Sequence, residues 1–246
     1  MNRIRNVLLV CVFSLALWQG IISAFNLPLY ILPGPVPVAQ SLWNNRGLIA
    51  ENAVVTLVEI LAAIILGSLL GMATAIIMAA SPPIRAALAP ILVFSQAIPI
   101  FALAPILTLW LGYGFASKIT MALLIIFFPI ASAFYDGLMR TSGDWLELAQ
   151  NLRATPARRM FFLRVPAAMP ALASGLAIAA VYAPIGAVIG EWVGASRGLG
   201  YLMLLANGRA KIDLMFAALF VLAAMTMALR AATNLFCNHV LGRYLR

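Results

Sequence analysis

Charged residues are scarce in this chain, and long stretches have none. Only 9% of its 246 residues are charged, 64% are hydrophobic, and the mean hydropathy is +1.04. The stretches without charge are 6–45, 60–84, 86–117, 119–135, 165–190 and 214–229. A helix needs about 20 apolar residues to cross the hydrocarbon of a bilayer. This composition therefore excludes a soluble globular domain and indicates a membrane protein.

Sequence signatures of catalysis and metal binding are also missing. The chain has no G-x-x-x-x-G-K-[ST] phosphate loop, no H-E-x-x-H and no clustered pair of carboxylates. Cys11 and Cys237 lack C-x-x-C spacing, and His239 is the single histidine, so neither a disulfide framework nor a zinc site is indicated. We expect no catalytic residue, metal or cofactor in this chain. ATP-driven work would need another subunit.

The apolar runs predict one all-α, polytopic membrane domain over residues 1–246. Broken at turn residues, they give six transmembrane helices, at 7–25, 53–80, 86–111, 115–135, 167–193 and 212–237. No A-x-A-like cleavage site follows the first run, so we interpret it as an uncleaved span.

The net charge of +9 is distributed as in a membrane protein rather than a nucleic-acid-binding protein. With a cytoplasmic N-terminus, eleven basic residues lie on the inner side and five on the outer side. The outer five are Arg46, Lys118, Arg197, Arg209 and Lys211. This excess of inner positive charge predicts that both termini are cytoplasmic.

Three prolines interrupt the third predicted span: Pro90, Pro99 and Pro105. Prolines bend or unwind a helix and free carbonyl groups, which in lipid must face protein or water. We therefore expect the stretch around Gln96 and Pro99 to line a pathway.

Small residues predict close helix packing at two places. Gly67 and Gly71 form a G-x-x-x-G pair, and Gly186, Gly190 and Gly194 lie on one face of the fifth span. Small faces let two helix backbones approach closely in a membrane. The second face suggests a pathway-lining helix or a contact with a second copy of the chain.

Two acids, Glu59 and Glu191, fall inside predicted spans. A carboxylate in hydrocarbon is costly, so it usually faces a cavity or a partner. One interpretation is that both line the pathway or contact a polar substrate. The other is that Glu59 pairs with a neighbouring helix and Glu191 lies among the headgroups.

The longest polar stretch, within 140–166, predicts a cytoplasmic loop of two short helices. One apolar face of the first helix is formed by residues at i, i+3, i+4 and i+7: Trp145, Leu148, Ala149 and Leu152. The second helix begins at Thr155-Pro156, a hydroxyl N-cap followed by a proline that needs no N–H. A protruding hairpin between two spans suits contact with another protein outside the bilayer.

This hairpin carries a family resemblance. Glu147-Leu148-Ala149, Arg153-Ala154 and Leu163-Arg164-Val165-Pro166 resemble the E-A-A-x-x-x-G…I-x-L-P loop of ABC importer permeases. Leu148 replaces the first alanine of that pattern and Arg153 its glycine. The resemblance implies a type I ABC importer permease fold with a cytoplasmic coupling helix. It also implies ATPase-coupling roles for Glu147, Ala149, Arg153, Ala154, Leu163 and Pro166.

Two further stretches, Leu32–Pro35 and Arg197–Leu202, resemble the branch of these permeases that handles nitrate, sulfonates, taurine and thiamine precursors. The resemblance implies a bacterial inner-membrane homodimer, two ATP-binding subunits that hold ATP and Mg, an extracytoplasmic substrate-binding protein and a small-molecule substrate moved by alternating access. It implies contact with lipid and none with nucleic acid. Thr56-Leu57-Val58-Glu59 is similar to permeases for hydroxymethylpyrimidine-type thiamine precursors. Alkanesulfonate, taurine or nitrate is the alternative substrate, and an ion-gradient-driven secondary transporter or a membrane scaffold is the alternative class.

Overall fold

The computed structural model describes residues 2–240, and the regular structure in that range is helical. Its elements are α1 (Asn2–Phe25), α2 (Pro35–Asn44), α3 (Arg46–Ala80), α4 (Pro82–Ala97), α5 (Ile100–Leu111), α6 (Phe115–Met139), α7 (Gly143–Asn151), α8 (Pro156–Arg159), a π-helical turn (Met160–Arg164), α9 (Val165–Gly194), α10 (Leu199–Gly208) and α11 (Ile212–Val240). The prediction of an all-α chain is confirmed. The two chain ends, Met1 and 241–246, and the Cys11 side chain lie outside the described part, so their predicted placements stay predictions.

Four described helical segments are long and apolar enough to span a membrane: Arg46–Ala80, Phe115–Met139, Pro156–Gly194 and Ile212–Val240. The bent pair formed by α4 and α5 adds a fifth span if it is counted as one. The first predicted span, 7–25, falls within α1, of which Val12–Phe25 is the part tested for apolar length. A sixth membrane span, formed by α1, therefore stays a prediction.

The third predicted span, 86–111, is not one helix. Helices α4 and α5 meet at an angle of 102° around Ile98 and Pro99. Pro99 lies just before α5, where its missing N–H leaves no bond unmade. Pro90 and Pro105 remain inside α4 and α5. The predicted interruption is thus concentrated at one of the three prolines.

Two other boundaries also differ from the prediction. The helix that contains the second predicted span begins at Arg46, before residue 53, because the preceding short helix ends at Asn44 and the chain turns there. The helix that contains the fifth predicted span starts before residue 167, because it runs unbroken from Pro156 to Gly194. The second helix of the polar hairpin and the fifth span are therefore one continuous segment.

The core is formed where α6 packs between α3 and α9. A Cβ at Gly67 or Gly71 would lie 2.9 Å from the side chain of Ile126 or Ile130, which shows how closely α3 approaches α6. A Cβ at Gly186 would lie 2.4 Å from the Cα of Ala122. The expected close packing at Gly67 and Gly71 is therefore present.

The glycine face of α9 has a different partner from the one expected. Gly186, Gly190 and Gly194 lie against Ala122, Lys118 and Tyr113 of the same chain. This face is therefore filled by α6 and the loop before it, and it is not free to contact a second copy of the chain.

A second group of buried residues joins α2, α10 and α11 to α3 and to the end of α9. Trp18 of α1 packs over the rings of Phe216 and Phe220 of α11. We name the two ends of the bundle from contacts made by α3. At the α10 end, Asn52 of α3 meets Gly198, and at the α7 end, Ala79 of α3 meets Arg164.

Candidate coupling site and buried polar cluster

Helix α7 exposes most of its predicted apolar face. Trp145, Leu148 and Leu152 are 60%, 51% and 74% exposed, and of the four residues only Ala149 is buried. Large apolar side chains grouped on an exposed polar hairpin are typical of a surface that another protein covers. Asp144 in the first turn of α7 complements the positive end of the helix dipole. The helix is therefore stabilised locally while its apolar face remains available.

The turn after α7 has the hydrogen bonds of a Schellman motif. The N–H of Ala154 donates to the carbonyl of Ala149, and the N–H of Arg153 donates to the carbonyl of Gln150, both at 2.9 Å. This motif places the residue after the cap in the left-handed region, which favours glycine. Arg153 adopts φ +55° there. The backbone therefore keeps the tight turn that the family's glycine would allow, although an arginine occupies the position.

The second helix of the hairpin begins as predicted. The hydroxyl oxygen of Thr155 accepts a hydrogen bond from the N–H of Arg158 at 3.3 Å, and Pro156 occupies the first turn. Such a cap contributes about 1 kcal/mol.

A π-helical turn explains why the helix continues past Pro166. A proline inside an α-helix removes one hydrogen bond and clashes with the carbonyl four residues earlier. In the preceding π turn, the N–H of Val165 instead reaches the carbonyl of Met160, five residues back. This wider turn accommodates Pro166 at the start of α9. A displacement of α8 can therefore be transmitted directly to a membrane-spanning helix.

The predicted coupling residues lie on both sides of this turn. Glu147 and Arg153 are exposed on the α7 side, while Leu163 and Pro166 are half-buried beyond the start of α8. Ala154 is half-buried between the two helices. Glu147 and Arg153 are thus exposed on the hairpin. Leu163 and Pro166 lie where the hairpin continues into α9. Their coupling role stays a prediction.

A buried ion pair lies at the α10 end of the bundle. Nζ of Lys118 on α6 donates to Oε1 of Glu59 on α3 at 2.7 Å, and both residues are buried, at 8% and 1% exposure. Lys118 was counted above among the charges on the outer side, and its side chain is buried inside the bundle. Glu59 thus pairs with a neighbouring helix, which is the second of the two interpretations given for it. Breaking such a pair by removing one partner leaves an uncompensated buried charge.

Glu191 holds the turn between α9 and α10. One of its oxygens accepts a hydrogen bond from the hydroxyl of Thr56 at 2.6 Å, and the other accepts from the backbone N–H groups of Gly200 and Tyr201. Glu191 is 1% exposed, so the alternative that it lies among the headgroups is wrong. The first N–H groups of α10 have no carbonyl partner within the helix, and the Glu191 carboxylate accepts their hydrogen bonds instead.

Two further bonds tie the same turn to α3. Oδ1 of Asn52 accepts from the N–H of Gly198, and the Thr56 hydroxyl accepts from the N–H of Leu199, each at 2.8 Å. Gly198 has φ +119° and lies against the Glu191 carboxylate, so only glycine fits there. Asn52, Thr56, Glu59, Lys118 and Glu191 form what we call the buried polar cluster.

The four predicted pathway residues do not form one group. Thr56 and Glu59 share a face of α3, which brings Glu59 and Glu191 into the buried polar cluster. Gln96 and Pro99 are exposed at the α4–α5 bend. A pathway role for the four residues stays a prediction.

Sequence reasoning missed Lys118, Thr56 and Asn52 as members of this cluster. One signal could have found the lysine. It is the single charge between 86 and 135, just as Glu59 is the single charge between 52 and 84. Isolated opposite charges in two spans tend to pair.

A comparison with known protein families shows which family this chain belongs to. The family described as "Binding-protein-dependent transport system inner membrane component" matches residues 63–245. The chain belongs to this family. As a member it is a permease subunit of an ABC transporter, a multi-pass inner-membrane protein that works with substrate-binding and ATP-binding partners.

Curated relatives of this permease cover most of its length. A "Probable ABC transporter permease protein" from Haemophilus influenzae is 49% identical over 92% of this chain and 93% of that protein. A "Formylaminopyrimidine transport permease protein" from Halalkalibacterium halodurans is 36% identical over 80% of this chain and 79% of its own length. A "Riboflavin transport system permease protein" from Chloroflexus aurantiacus is 33% identical over 90% of this chain and 83% of its own length.

A solved structure shares the fold of this permease. It is the crystal structure of an amino acid ABC transporter with histidines, with a TM-score of 0.67 and 16% identity, over 82% of this chain and 98% of that chain. At this identity the likeness concerns the fold alone. The predicted type I ABC importer permease fold is confirmed.

Proposed function

We propose that this permease is the membrane subunit of an ATP-driven importer that moves a small polar solute into the cytoplasm, with ATP hydrolysed on separate ATP-binding subunits. The observation that carries the proposal is the exposed apolar face of α7 next to a helix that continues into the bilayer. An ATP-binding subunit that covers Trp145, Leu148 and Leu152 would hold the hairpin. Its movement would then displace α8 and α9 together.

The assembly we propose contains two copies of the permease, two ATP-binding subunits and an extracytoplasmic binding protein. One α7 hairpin per chain matches one groove on each ATP-binding subunit, which favours a homodimer. The α7 end then faces the cytoplasm, in agreement with the excess of basic residues predicted for that side. Approach of the two ATP-binding subunits would switch the helices between inward-facing and outward-facing arrangements.

The coupling proposal is tested with Glu147→Lys. Glu147 is exposed on α7, so the change should leave insertion and folding intact while placing a positive charge on the proposed contact. We expect loss of co-purification of the ATP-binding subunit, or loss of substrate-stimulated ATP hydrolysis. Glu51→Lys is the matched control, because Glu51 is also an exposed glutamate on a helix, toward the α10 end. Normal coupling in Glu147→Lys would refute the assigned role.

For the substrate we propose a neutral heterocycle of the pyrimidine type. The charge of Glu59 does not support this choice, because Lys118 neutralises that carboxylate inside the chain. A cavity of about 590 Å³ between α5, α9, α10 and α11 supports it instead. The rings of Phe101 and Trp192 lie 6.1 Å apart at its edge, and Thr226 is its polar lining residue. Aromatic walls suit a flat ring, whereas a sulfonate needs cationic or N–H donors.

The two relatives that carry a formylaminopyrimidine and riboflavin, both heterocycles, agree with this proposal. The test is uptake of labelled formylaminopyrimidine and labelled taurine by cells that express the complete transporter. We expect pyrimidine uptake that falls at least several-fold in Trp192→Ala. Trp110→Ala is the control, because Trp110 is exposed and does not line the cavity. Uptake of taurine alone would support the sulfonate alternative and contradict the proposal.

A further inference from the structure

A groove separates the α7 end of α3 from the π-helical turn. Its volume is about 460 Å³. One wall is the end of a membrane-spanning helix, the other is α8 with the π turn, and Leu146 of α7 closes one side. The groove therefore lies at the α7 end of the membrane-spanning helices. Its principal lining residues are Ile76, Ala79, Ala80, Arg159, Phe161 and Arg164.

The π turn brings both arginines to this groove. In a regular α-helix, residues five apart point about 140° away from each other. A π turn contains extra backbone in one turn, so residues five apart come closer to alignment. Arg159 and Arg164 bracket the π turn, and both line the groove. Arg158, one residue earlier, is exposed and does not line it.

The two arginines are held differently. Nη1 of Arg164 donates to the carbonyl oxygen of Ala79 at 3.3 Å, at the C-terminal end of α3, where carbonyls lack helix partners. Nε of Arg159 is buried and has no hydrogen-bond partner among the described residues. Within residues 2–240, the ion pair found at 4.0 Å or less is the one between Lys118 and Glu59, at the other end of the bundle. The charge in the groove is therefore not neutralised by the described chain.

We propose that this groove binds the phosphate of an anionic phospholipid, with Arg159 and Arg164 as its ligands. Guanidinium groups match phosphate oxygens in geometry, and basic pockets between membrane helices bind anionic headgroups. The alkyl wall formed by Ile76, Ala79 and Ala80 continues along α3 into the membrane, which suits the glycerol and acyl parts of a lipid.

An acidic residue of the ATP-binding subunit fits the groove less well. The apolar face proposed for that subunit consists of Trp145, Leu148 and Leu152, and none of them lines the groove. Leu146, which does, lies on another side of α7. The groove and the proposed coupling surface are therefore separate parts of the hairpin.

The test uses the purified full-length permease in detergent and native mass spectrometry. Phosphatidylglycerol and phosphatidylcholine with identical acyl chains are titrated separately, and excess inorganic phosphate is added in a third arm. We expect preferential binding of phosphatidylglycerol, weakened about fivefold by Arg159→Gln because one arginine near a headgroup is removed. The control Arg158→Gln, one residue away and outside the groove, should bind like the wild type.

Arg159→Gln is the decisive variant, because the buried Nε of Arg159 has no hydrogen-bond partner among the described residues that the change would leave unpaired. Arg164→Gln also removes the bond to Ala79, so its thermal unfolding is measured alongside lipid binding. Equal binding of the two lipids, or an equal loss in Arg158→Gln, would overturn the proposal. Complete displacement by inorganic phosphate would show a free-anion site instead. Unchanged preference for phosphatidylglycerol in Arg159→Gln would also overturn the proposal.

Discussion

Arg153 provides the sharpest test of how the hairpin is built. It adopts φ +55° in the turn after α7, and its side chain is exposed. Replacement by glycine, the residue of the family pattern, should remove the backbone strain and lose no packing. We therefore expect Arg153→Gly to stabilise the turn, although it deletes the longer side chain.

The expected size follows from two opposing effects. The left-handed conformation costs a residue with a Cβ roughly 1–2 kcal/mol. Glycine also makes the open, unfolded turn more flexible, which lowers the stability of the folded turn by about 0.4–1 kcal/mol. The net stabilisation is about 0.8 kcal/mol, which corresponds to roughly fourfold slower opening of the turn.

Hydrogen–deuterium exchange of the purified permease measures this opening. The reporter is the amide of Ala154, which donates to the carbonyl of Ala149, and its protection is corrected for intrinsic exchange rates. Arg153→Ala keeps the strain and should show little change.

Ala210→Gly is the matched positive control at the other end of the bundle. Ala210 has φ +54°, and the bond from Lys211 to Ala206 completes the same motif after α10. The amide of Lys211 should gain similar protection. Slower exchange in Ala210→Gly together with unchanged or faster exchange in Arg153→Gly would refute the strain argument. The arginine would then stabilise the turn through its side chain.

Two further predictions concern packing inside the bundle. Lys118→Met should destabilise the permease by about 3–5 kcal/mol in thermal unfolding, because it leaves the buried Glu59 carboxylate without its partner. Adding Glu59→Leu should recover most of this lost stability. A double variant as unstable as Lys118→Met alone would contradict the ion-pair explanation. Gly186→Ala should cost about 1–3 kcal/mol, because its Cβ would meet the Cα of Ala122 at 2.4 Å. Gly208→Ala is the control for a helical glycine with open space around it, and similar stability of the two variants would argue against close packing of α6 and α9.

Local sequence signals were sufficient for the hairpin. Thr155 and Pro156 form a helix start within four residues, and the apolar spacing of α7 is complete within eight. Both features depend on near neighbours, so a sequence pattern contains nearly all the information. The turn at Arg153 was harder to predict, because an arginine does not indicate a left-handed backbone, whereas the glycine of the family pattern does.

Contacts between distant residues were not predictable in the same way. Lys118 was counted among the outer positive charges, although it falls near the start of the predicted span 115–135. Its partner Glu59 is 59 residues away, and only the folded bundle shows that the ion pair is buried. Likewise, Pro166 favoured a helix end at that position, whereas in the structure a π turn before it lets the helix continue.

The buried polar cluster and the continuous helix together indicate which parts of the permease move as one body. The helical segment Pro156–Gly194 begins at the hairpin and ends next to Glu191, whose bonds fix the α9–α10 turn to α3. Glu59 and Lys118 join α3 to α6 at the same end. Helices α3, α6 and α9 are thus tied together by buried polar bonds that are costly to break, so separating them would need far more free energy than rotating them together. The bend at Pro99 has no such bonds around it among the described residues, which makes α4 and α5 the segment where a change of angle costs least.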